Sequence, residues 1–214
     1  MRKLIGLSGK AGTGKTTFAE LAVQKLGGKK IALADAVKEE VSEFLGFCDV
    51  PYEQRHMWGV TQDREDTFVL PLHQWLRCIT VYGDDLPMLL RRELSMTPDG
   101  LCGTYRQLLQ LWGTDFRRSE NPDYWVDKTA ERILSLDGYV FVDDVRFVGE
   151  AEMIKRLGGT LIRIERPDRP RISNPTHQSE VDLDDYNKFD LTMLNYGSLD
   201  VYFCEILSLL RWLR

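Results

Sequence analysis

The chain has 214 residues, of which 43% are hydrophobic, and a formal net charge of −5. This length suits one α/β domain with an insertion, and the apolar content is enough for a core. The negative charge argues against a nucleic-acid-binding surface, which would be basic. The apolar runs are too short for a membrane span, no signal peptide precedes the first strand, and the four cysteines form no CxxC pair, so we expect a cytoplasmic protein with reduced thiols.

The strongest motif is a glycine-rich loop, Gly9-Lys10-Ala11-Gly12-Thr13-Gly14-Lys15-Thr16, which is followed by Thr17. It fits the pattern GxxxxGK[ST], in which backbone N–H groups surround a di- or triphosphate. Lys15 then reaches the β- and γ-phosphates, and the hydroxyl of Thr16 binds Mg²⁺. A buried strand is predicted over residues 3–8, and apolar residues at helical spacing predict a helix after the loop: Ala19, Ala22, Val23 and Leu26. The motif and its context therefore predict an ATP site.

A second short strand is predicted at Lys30-Ile31-Ala32-Leu33-Ala34. Asp35 follows at its expected end, the position where α/β folds place ligand-contacting groups. The same residue is a good N-cap for the helix predicted after it. A cap alone and a substrate contact both stay open, and they do not exclude each other.

Residues 47–103 show no single hydrophobic period. Helices are predicted over His73–Tyr82 and Asp85–Met96, and Thr97-Pro98-Asp99-Gly100 is typical of a turn. We expect this segment to be a helical insertion on the substrate side of the domain. Core or surface roles suit three further residues better than ligand binding: His56, Trp58 and His73.

Three arginines lie close together in sequence around the glycine of Gly113-Thr114-Asp115, which is expected to interrupt a helix: Arg106, Arg117 and Arg118. Thr104 and Gln107 fit a capping box that begins this helix. Two explanations of the arginines stay open. They form a solvated basic face, or they clamp the phosphate of an acceptor, since a planar guanidinium can hold two phosphate oxygens at once. Trp125 either stacks on a base or packs in the core.

A buried strand is predicted at Tyr139-Val140-Phe141-Val142, and it ends in Asp143-Asp144. An apolar strand that ends in aspartate, downstream of a phosphate-binding loop, resembles the Walker B element, whose carboxylate holds Mg²⁺ directly or through water. Two adjacent acids at a strand end are costly unless a cation or an arginine neutralises them. The predicted metal site therefore comprises Thr16, Asp143 and Asp144.

After a helix from Val148 to Leu157, a strand is predicted over Thr160–Ile164. The segment 165–180 then carries three arginines among prolines: Arg166, Arg169 and Arg171. An ordinary charged loop is one explanation. A lid that brings arginines to the transition state and excludes water is the other. Phe189–Leu194 predicts a last strand, and the apolar stripe of a C-terminal helix fits either the core or a homodimer contact.

Strands that alternate with helices predict a doubly wound parallel sheet with right-handed crossovers. The expected fold is therefore α/β, of the P-loop NTP hydrolase type, with about five strands, helices on both faces, the helical insertion and an arginine-rich lid. We expect one domain spanning residues 1–214.

Several stretches together resemble the deoxynucleoside monophosphate kinases encoded by bacteriophages. The matching pieces cover a little over half of the chain in the family's order: residues 4–18, 32–39, 105–110, 113–115, 144–147 with Glu150, Gly158-Gly159, 177–180, Asp190 and 195–197. The chain departs from the family at Val148-Gly149, where members usually have Pro-Asn. The resemblance implies ATP-dependent, Mg²⁺-requiring phosphorylation of deoxynucleoside 5′-monophosphates to diphosphates. It also implies a role in DNA precursor supply, in the host cytoplasm where such a gene is phage-encoded.

Such a reaction needs no general base, because the second pKa of a phosphate monoester is about 6 and the acceptor is largely dianionic at neutral pH. The protein must instead hold two polyanions in line. The predicted catalytic residues are Lys15, Arg146, Arg166, Arg169 and Arg171. The predicted acceptor site comprises Asp35, Lys38, Arg106, Gln110, Arg117, Arg118, Trp125 and Glu150.

Two rival functions remain open. A kinase that acts on a hydroxyl, such as dephospho-coenzyme A kinase, would need a base, and Asp35 could serve. A P-loop ATPase or switch would ordinarily have a glutamate just after the Walker B acid to position water. Here Val145 and Arg146 follow Asp144, which disfavours that class.

Overall fold

The computed structural model describes residues 2–59, 61–167 and 181–212. The chain divides into two compact units. The first comprises Met1–Leu33 with Val126–Arg214, and the second comprises Ala34–Trp125. Arg169, Arg171 and the matching stretch 177–180 lie outside the described residues, as does most of the predicted lid. Within the described residues, no helix is both long enough and apolar enough to span a bilayer.

Strands and helices alternate irregularly along the described part of the chain. The strands are β1 (Lys3–Ser8), β2 (Lys29–Ile31), β3 (Thr67–Leu70), β4 (Ser95–Thr97), β5 (Gly100–Thr104), β6 (Tyr139–Val145), β7 (Thr160–Glu165) and β8 (Leu191–Leu194). The helices are α1 (Lys15–Leu26), α2 (Leu33–Phe47), α3 (Gln54–Trp58), α4 (Leu72–Tyr82), α5 (Asp85–Glu93), α6 (Tyr105–Gln110), α7 (Arg117–Glu120), α8 (Tyr124–Leu134), α9 (Val148–Arg156) and α10 (Leu199–Trp212). A 3₁₀ helix spans Thr61–Glu65, and a π-helix spans Leu111–Phe116.

The first unit is built on the predicted parallel sheet, with the strand order β2-β6-β1-β7-β8. Leu4 pairs with Val140 in β6, and Gly6 pairs with Leu161 in β7. Successive side chains of a strand point to opposite faces. In β6, Phe141 accordingly belongs to a core cluster with Phe18 and Ala19 of α1, whereas Val140 belongs to a cluster with α9 on the other face. Burial on both faces explains why these strands are continuous apolar runs.

The second strand is shorter than the sequence predicts. β2 ends at Ile31, and α2 begins at Leu33, so Asp35 lies in the first turn of α2 instead of at a strand end. Its predicted N-cap role is therefore wrong. Alanine and leucine favour a helix here, and the N–H of Leu33 donates to Asp144 Oδ1 at 2.8 Å. A side chain from β6 thus satisfies the helix start that Asp35 was expected to cap.

The second unit contains a three-stranded antiparallel sheet in the order β3-β5-β4, so the prediction of a purely helical insertion is wrong. The turn between β4 and β5 lies where the sequence predicts it, with Thr97 Oγ1 donating to the carbonyl of Gly100 at 2.9 Å. Both predicted helices form, although α5 ends at Glu93. The strands escape prediction because they are short and because β5 contains Gly103, a poor strand former. A Cβ at Gly103 would lie 2.6 Å from Leu94 Cδ2, so a larger residue would require the Leu94 side chain to shift.

The helix after β5 starts as predicted and then widens. Thr104 Oγ1 accepts from the Gln107 N–H at 3.1 Å, and Gln107 Oε1 accepts from the Thr104 N–H at 2.9 Å, which confirms the capping box. The expected interruption at residues 113–115 does not occur. The chain stays helical but forms the π-helix from Leu111 to Phe116, a geometry that occurs frequently at functional sites.

Candidate nucleotide-binding site

The glycine-rich loop joins β1 to α1 and has the backbone geometry that its sequence predicts. Gly9, Gly12 and Gly14 have φ angles of 145°, 76° and 100°, in the region that favours glycine. A Cβ at Gly9 would lie 2.2 Å from the carbonyl oxygen of Ile164. The loop therefore depends on glycine for both its turn and its close approach to β7.

Lys15 is the first residue of α1, and only 7% of it is exposed. Its Nζ donates to the carbonyl oxygens of Gly9 at 2.6 Å and Lys10 at 2.9 Å. Both acceptors belong to the loop, so the ammonium is held inside it, where a P-loop lysine meets phosphate oxygens. The dipole of α1 adds positive potential at the same end of the helix.

The two predicted metal-binding aspartates have different environments, and β6 continues through both to Val145. The pairing of β6 with β1 shifts register between Val142 and Val145, so both aspartates lie at an irregularity of the strand. Asp143 is 7% exposed, and its carboxylate forms an ion pair with Lys30 Nζ at 3.8 Å. Asp144 Oδ1 accepts from the Leu33 N–H at the start of α2. Asp143 thus has the environment of a metal ligand, and Asp144 has that of a helix cap.

The donor chemistry around Asp143 suits Mg²⁺. The ion prefers oxygen ligands and is usually bound through one or two carboxylates together with substrate phosphates. Among the described residues there is no cluster of three or more His, Cys, Asp or Glu side chains that could hold a metal alone. Asp143 supplies one buried carboxylate, and Thr16 is exposed in the first turn of α1. The residues therefore fit a metal that arrives with a nucleotide.

An ion network that the sequence analysis missed lies beside the loop. Asp184 Oδ2 accepts from Lys10 Nζ at 2.9 Å, and its Oδ1 accepts from Arg163 Nη2 at 3.2 Å. Arg163 also donates to the carbonyl of Leu183 at 2.7 Å and lies over the ring of Phe189. A pocket of about 230 Å³ opens next to this network, lined by Gly9, Lys10, Thr13 and residues 163–167.

The ion pairs of Asp184 predict that the protein loses stability as the pH falls below about 4. Burial raises the pKa of Asp184, but hydrogen bonds from Lys10 and Arg163 outweigh it and hold the pKa below its usual value. A depressed pKa stabilises the fold above the unfolded-state pKa of about 4, and this contribution is lost as the pH falls further. In urea unfolding between pH 7 and pH 3, the stability difference between wild type and Asp184→Asn should shrink below about pH 4. Asp185→Asn is the matched control. A difference that stays constant with pH would contradict the assignment.

Two predicted catalytic arginines lie at the loop. Arg146 lines a narrow crevice with Ser8, Gly9 and Lys10. Arg166 Nη1 lies 3.5 Å from the carbonyl oxygen of Gly12. The structure thus places both next to the phosphate-binding loop, and their catalytic role stays a prediction.

Glu150 was predicted as an acceptor-binding residue, and its visible role is structural. The side chain is 6% exposed, and its Oε2 accepts from the N–H groups of Arg146 at 2.7 Å and Phe147 at 3.1 Å. The bond from Phe147 satisfies the N-cap N–H of α9. Glu150 therefore fixes the backbone of the segment that carries Arg146.

In the second unit, Arg117 is organised by a buried carboxylate. Glu40 of α2 is 6% exposed, and its Oε2 accepts from Arg117 Nε and from Trp112 Nε1, each at 2.9 Å. Its Oε1 accepts from Tyr124 Oη at 2.5 Å. The Arg117 guanidinium lies 4.7 Å from the ring centroid of Phe116 and 4.9 Å from that of Tyr124. A merely solvated basic face does not describe this arginine. No local pattern marks Glu40, because Trp112 and Tyr124 follow it by 72 and 84 positions.

The remaining acceptor candidates are also in the second unit. Asp35 Oδ1 pairs with Lys38 Nζ at 3.1 Å, and Arg106 forms an ion pair with Glu65. Arg118 is partly buried, and Gln110 is exposed. Trp125 is 3% exposed and donates from Nε1 to the carbonyl of Gly113 at 2.8 Å, so its visible role is packing instead of stacking on a base.

The three residues expected to have core or surface roles have them. His56 is buried, stacks on Tyr105 with ring centroids 4.2 Å apart, and accepts at Nδ1 from the Glu53 N–H at 3.0 Å. His73 and Trp58 are exposed.

Comparisons with known proteins identify the family of the chain. Residues 102–206 match the family described as deoxynucleotide monophosphate kinase. The chain is 31% identical to a protein of Acanthamoeba polyphaga mimivirus that bears this family's name, over 96% of this chain and 94% of that protein. It is 26% identical to the deoxynucleotide monophosphate kinase of Enterobacteria phage T4, over 98% of this chain and 99% of that protein. The dephospho-CoA kinase from Campylobacter jejuni has a similar fold, with a TM-score of 0.51, 14% identity, and coverage of 99% and 96% of the two chains.

The parallel sheet, the glycine loop and the buried lysine together define a nucleotide-binding α/β kinase fold, which the dephospho-CoA kinase likeness also supports. The whole-length match to the mimivirus protein fixes the family. The chain belongs to the deoxynucleotide monophosphate kinases and is a phosphotransferase. This finding confirms the resemblance drawn from the sequence.

Proposed function

We propose that this protein transfers the γ-phosphoryl group of ATP to deoxynucleoside 5′-monophosphates and so supplies diphosphates for DNA synthesis. The observation that carries the proposal is the loop from Gly9 to Thr16, with Lys15 held inside it by two loop carbonyls. Relatives named for this activity support the choice of acceptor. Because both relatives are viral, we place the reaction in the cytoplasm of an infected host.

The donor half of the proposed site consists of residues of the first unit. The loop N–H groups and Lys15 bind the β- and γ-phosphates, and Arg146 and Arg166 add positive charge beside them. Asp143 and Thr16 would hold Mg²⁺, which would neutralise charge on the donor phosphates when bound. Asp144 has a structural role, because it accepts from the first N–H of α2.

The acceptor half is assigned to the second unit, with Arg117 as its best-organised phosphate ligand. Its Nε is fixed by Glu40, and its plane lies against two aromatic rings, so the guanidinium has little freedom to rotate. A fixed planar fork suits two oxygens of one phosphate. Asp35, Lys38, Arg106, Gln110 and Arg118 complete the proposed acceptor set, and the acceptor dianion needs no general base.

The test is ADP release from MgATP with one acceptor at a time. Each deoxynucleoside monophosphate, dephospho-coenzyme A and water alone should be offered to the purified protein. We expect release only with deoxynucleoside monophosphates. Turnover without an acceptor would indicate an ATPase, and turnover only with dephospho-coenzyme A would indicate a hydroxyl kinase. Either result would overturn the proposal.

A further inference from the structure

We infer that Asn195 and Tyr202 are positioning residues of the phosphate-binding loop. Asn195 directly follows β8, and Tyr202 lies in α10. Both are far from the loop in sequence but contact its backbone. Asn195 Nδ2 donates to the carbonyl oxygen of Thr13 at 2.8 Å, and Tyr202 Oη donates to that of Gly14 at 3.0 Å.

These two bonds set the direction of the loop's N–H groups. In a trans peptide the C=O and the following N–H point in opposite directions. A bond from Asn195 that holds the Thr13 carbonyl outward therefore aims the Gly14 N–H the other way, toward the phosphate side of the loop. Tyr202 has the same effect on the Lys15 N–H through the carbonyl of Gly14, which also accepts from the Phe18 N–H at 2.9 Å. A carbonyl oxygen has two lone pairs and can serve both donors.

Asn195 and Tyr202 lie so close to the loop backbone that they explain why the motif has glycine at position 14. A Cβ at Gly14 would lie 2.8 Å from both Asn195 Nδ2 and Tyr202 Cε1. The backbone at Gly14 therefore packs directly on these two side chains. Glycine is required at this position by residues at the far end of the chain as well as by its φ of 100°.

Both side chains are themselves rigidly held, as positioning groups must be. Asn195 is 8% exposed, and its N–H donates to the carbonyl of Glu165 at 2.7 Å. Tyr202 is 2% exposed, and its ring packs in the core cluster with Phe18 and Ile206, which leaves the hydroxyl at the loop. The two residues thus tie β7, β8 and α10 to the loop that binds phosphate.

The inference rests on the proposed function only in requiring that the loop binds polyphosphate. Asn195 and Tyr202 do not touch the substrate in this account. They act through the loop, so removing their donors should weaken binding of any ligand that the loop holds by its phosphates. Binding of the acceptor nucleotide should be unaffected.

The test uses Tyr202→Phe, which removes only the hydroxyl, and Asn195→Ala, which removes the amide without adding charge. Affinities for MgADP and for inorganic tripolyphosphate are measured by calorimetry on the full chain. We expect each variant to lose about five- to tenfold in affinity for both ligands, since each loses one hydrogen bond. Tyr105→Phe is the control, because Tyr105 is equally buried and its hydroxyl donates to the carbonyl of Pro51 at 2.8 Å in the other unit.

The outcomes separate this inference from the proposed function. If both folded variants bind MgADP and tripolyphosphate with wild-type affinity, the inference about Asn195 and Tyr202 is overturned. A loss for MgADP without a loss for tripolyphosphate would also overturn it, because the effect would then lie at the base or ribose. A loss of the same size in Tyr105→Phe would show a general effect of stability and overturn it too. If the wild type binds MgADP but transfers no phosphate to deoxynucleotides, the proposed function fails and this inference stands.

Discussion

Replacement of Lys15 by alanine is expected to lower kcat for phosphoryl transfer by about 10²- to 10³-fold while the fold remains intact. The ammonium lies inside the loop, bound to the carbonyls of Gly9 and Lys10, and only 7% of the residue is exposed. Charge that develops on the transferred group would meet it in a poorly hydrated site, where one cation has a large effect. The ammonium of Lys10 is instead paired with Asp184 at 2.9 Å.

The matched control for this variant is Lys25→Ala. Lys25 lies in the last turn of the same helix α1 and is exposed. Initial rates of ADP release should be measured for wild type and both variants at saturating MgATP and deoxynucleotide, together with thermal unfolding. We expect Lys25→Ala to match wild type in both measurements. Near-normal turnover in a folded Lys15→Ala protein would place the donor site elsewhere.

The donor loop could be predicted because its information is local. The eight residues from Gly9 to Thr16 contain the turn, the cation and the hydroxyl, and the flanking strand and helix have clear periods. The parallel sheet itself follows from the same alternation of apolar runs and helices. Features with short sequence separation were therefore recovered, including the capping box of Thr104 and Gln107.

What the sequence does not reveal depends on partners that are distant along the chain. Asn195 and Tyr202 reach the loop from 182 and 188 positions away, and although residues 195–197 are among the stretches that resemble the family, no local pattern predicts either contact. The prediction that Asp35 is an N-cap was wrong for the same reason. The N–H of Leu33 bonds to Asp144, which is 111 positions away in sequence. The strands of the second unit were not predicted for a different reason. They are three to five residues long, and glycines in β5 remove the side-chain alternation that identifies a strand.

Glu40 is the residue whose loss should destabilise the second unit most. Its carboxylate is buried and accepts from Arg117, Trp112 and Tyr124. Glu40→Ala leaves a guanidinium, an indole N–H and a phenol without their common acceptor. Leaving a buried donor without its acceptor costs about 1–3 kcal/mol. We expect a loss of this size in the free energy of unfolding.

Urea unfolding followed by tryptophan fluorescence suits the measurement, because Trp112 and Trp125 are both buried in this unit. Glu43→Ala is the matched control, since Glu43 is exposed on the same helix α2. Glu40→Gln keeps the shape but removes the charge, and it should lose less stability than Glu40→Ala. If Glu40 also positions Arg117 for an acceptor phosphate, Glu40→Gln should raise KM for the deoxynucleotide and leave KM for MgATP unchanged. A Glu40→Ala protein as stable as Glu43→Ala would show that the buried carboxylate does not organise this unit, and the case for Arg117 as the acceptor ligand would fall with it.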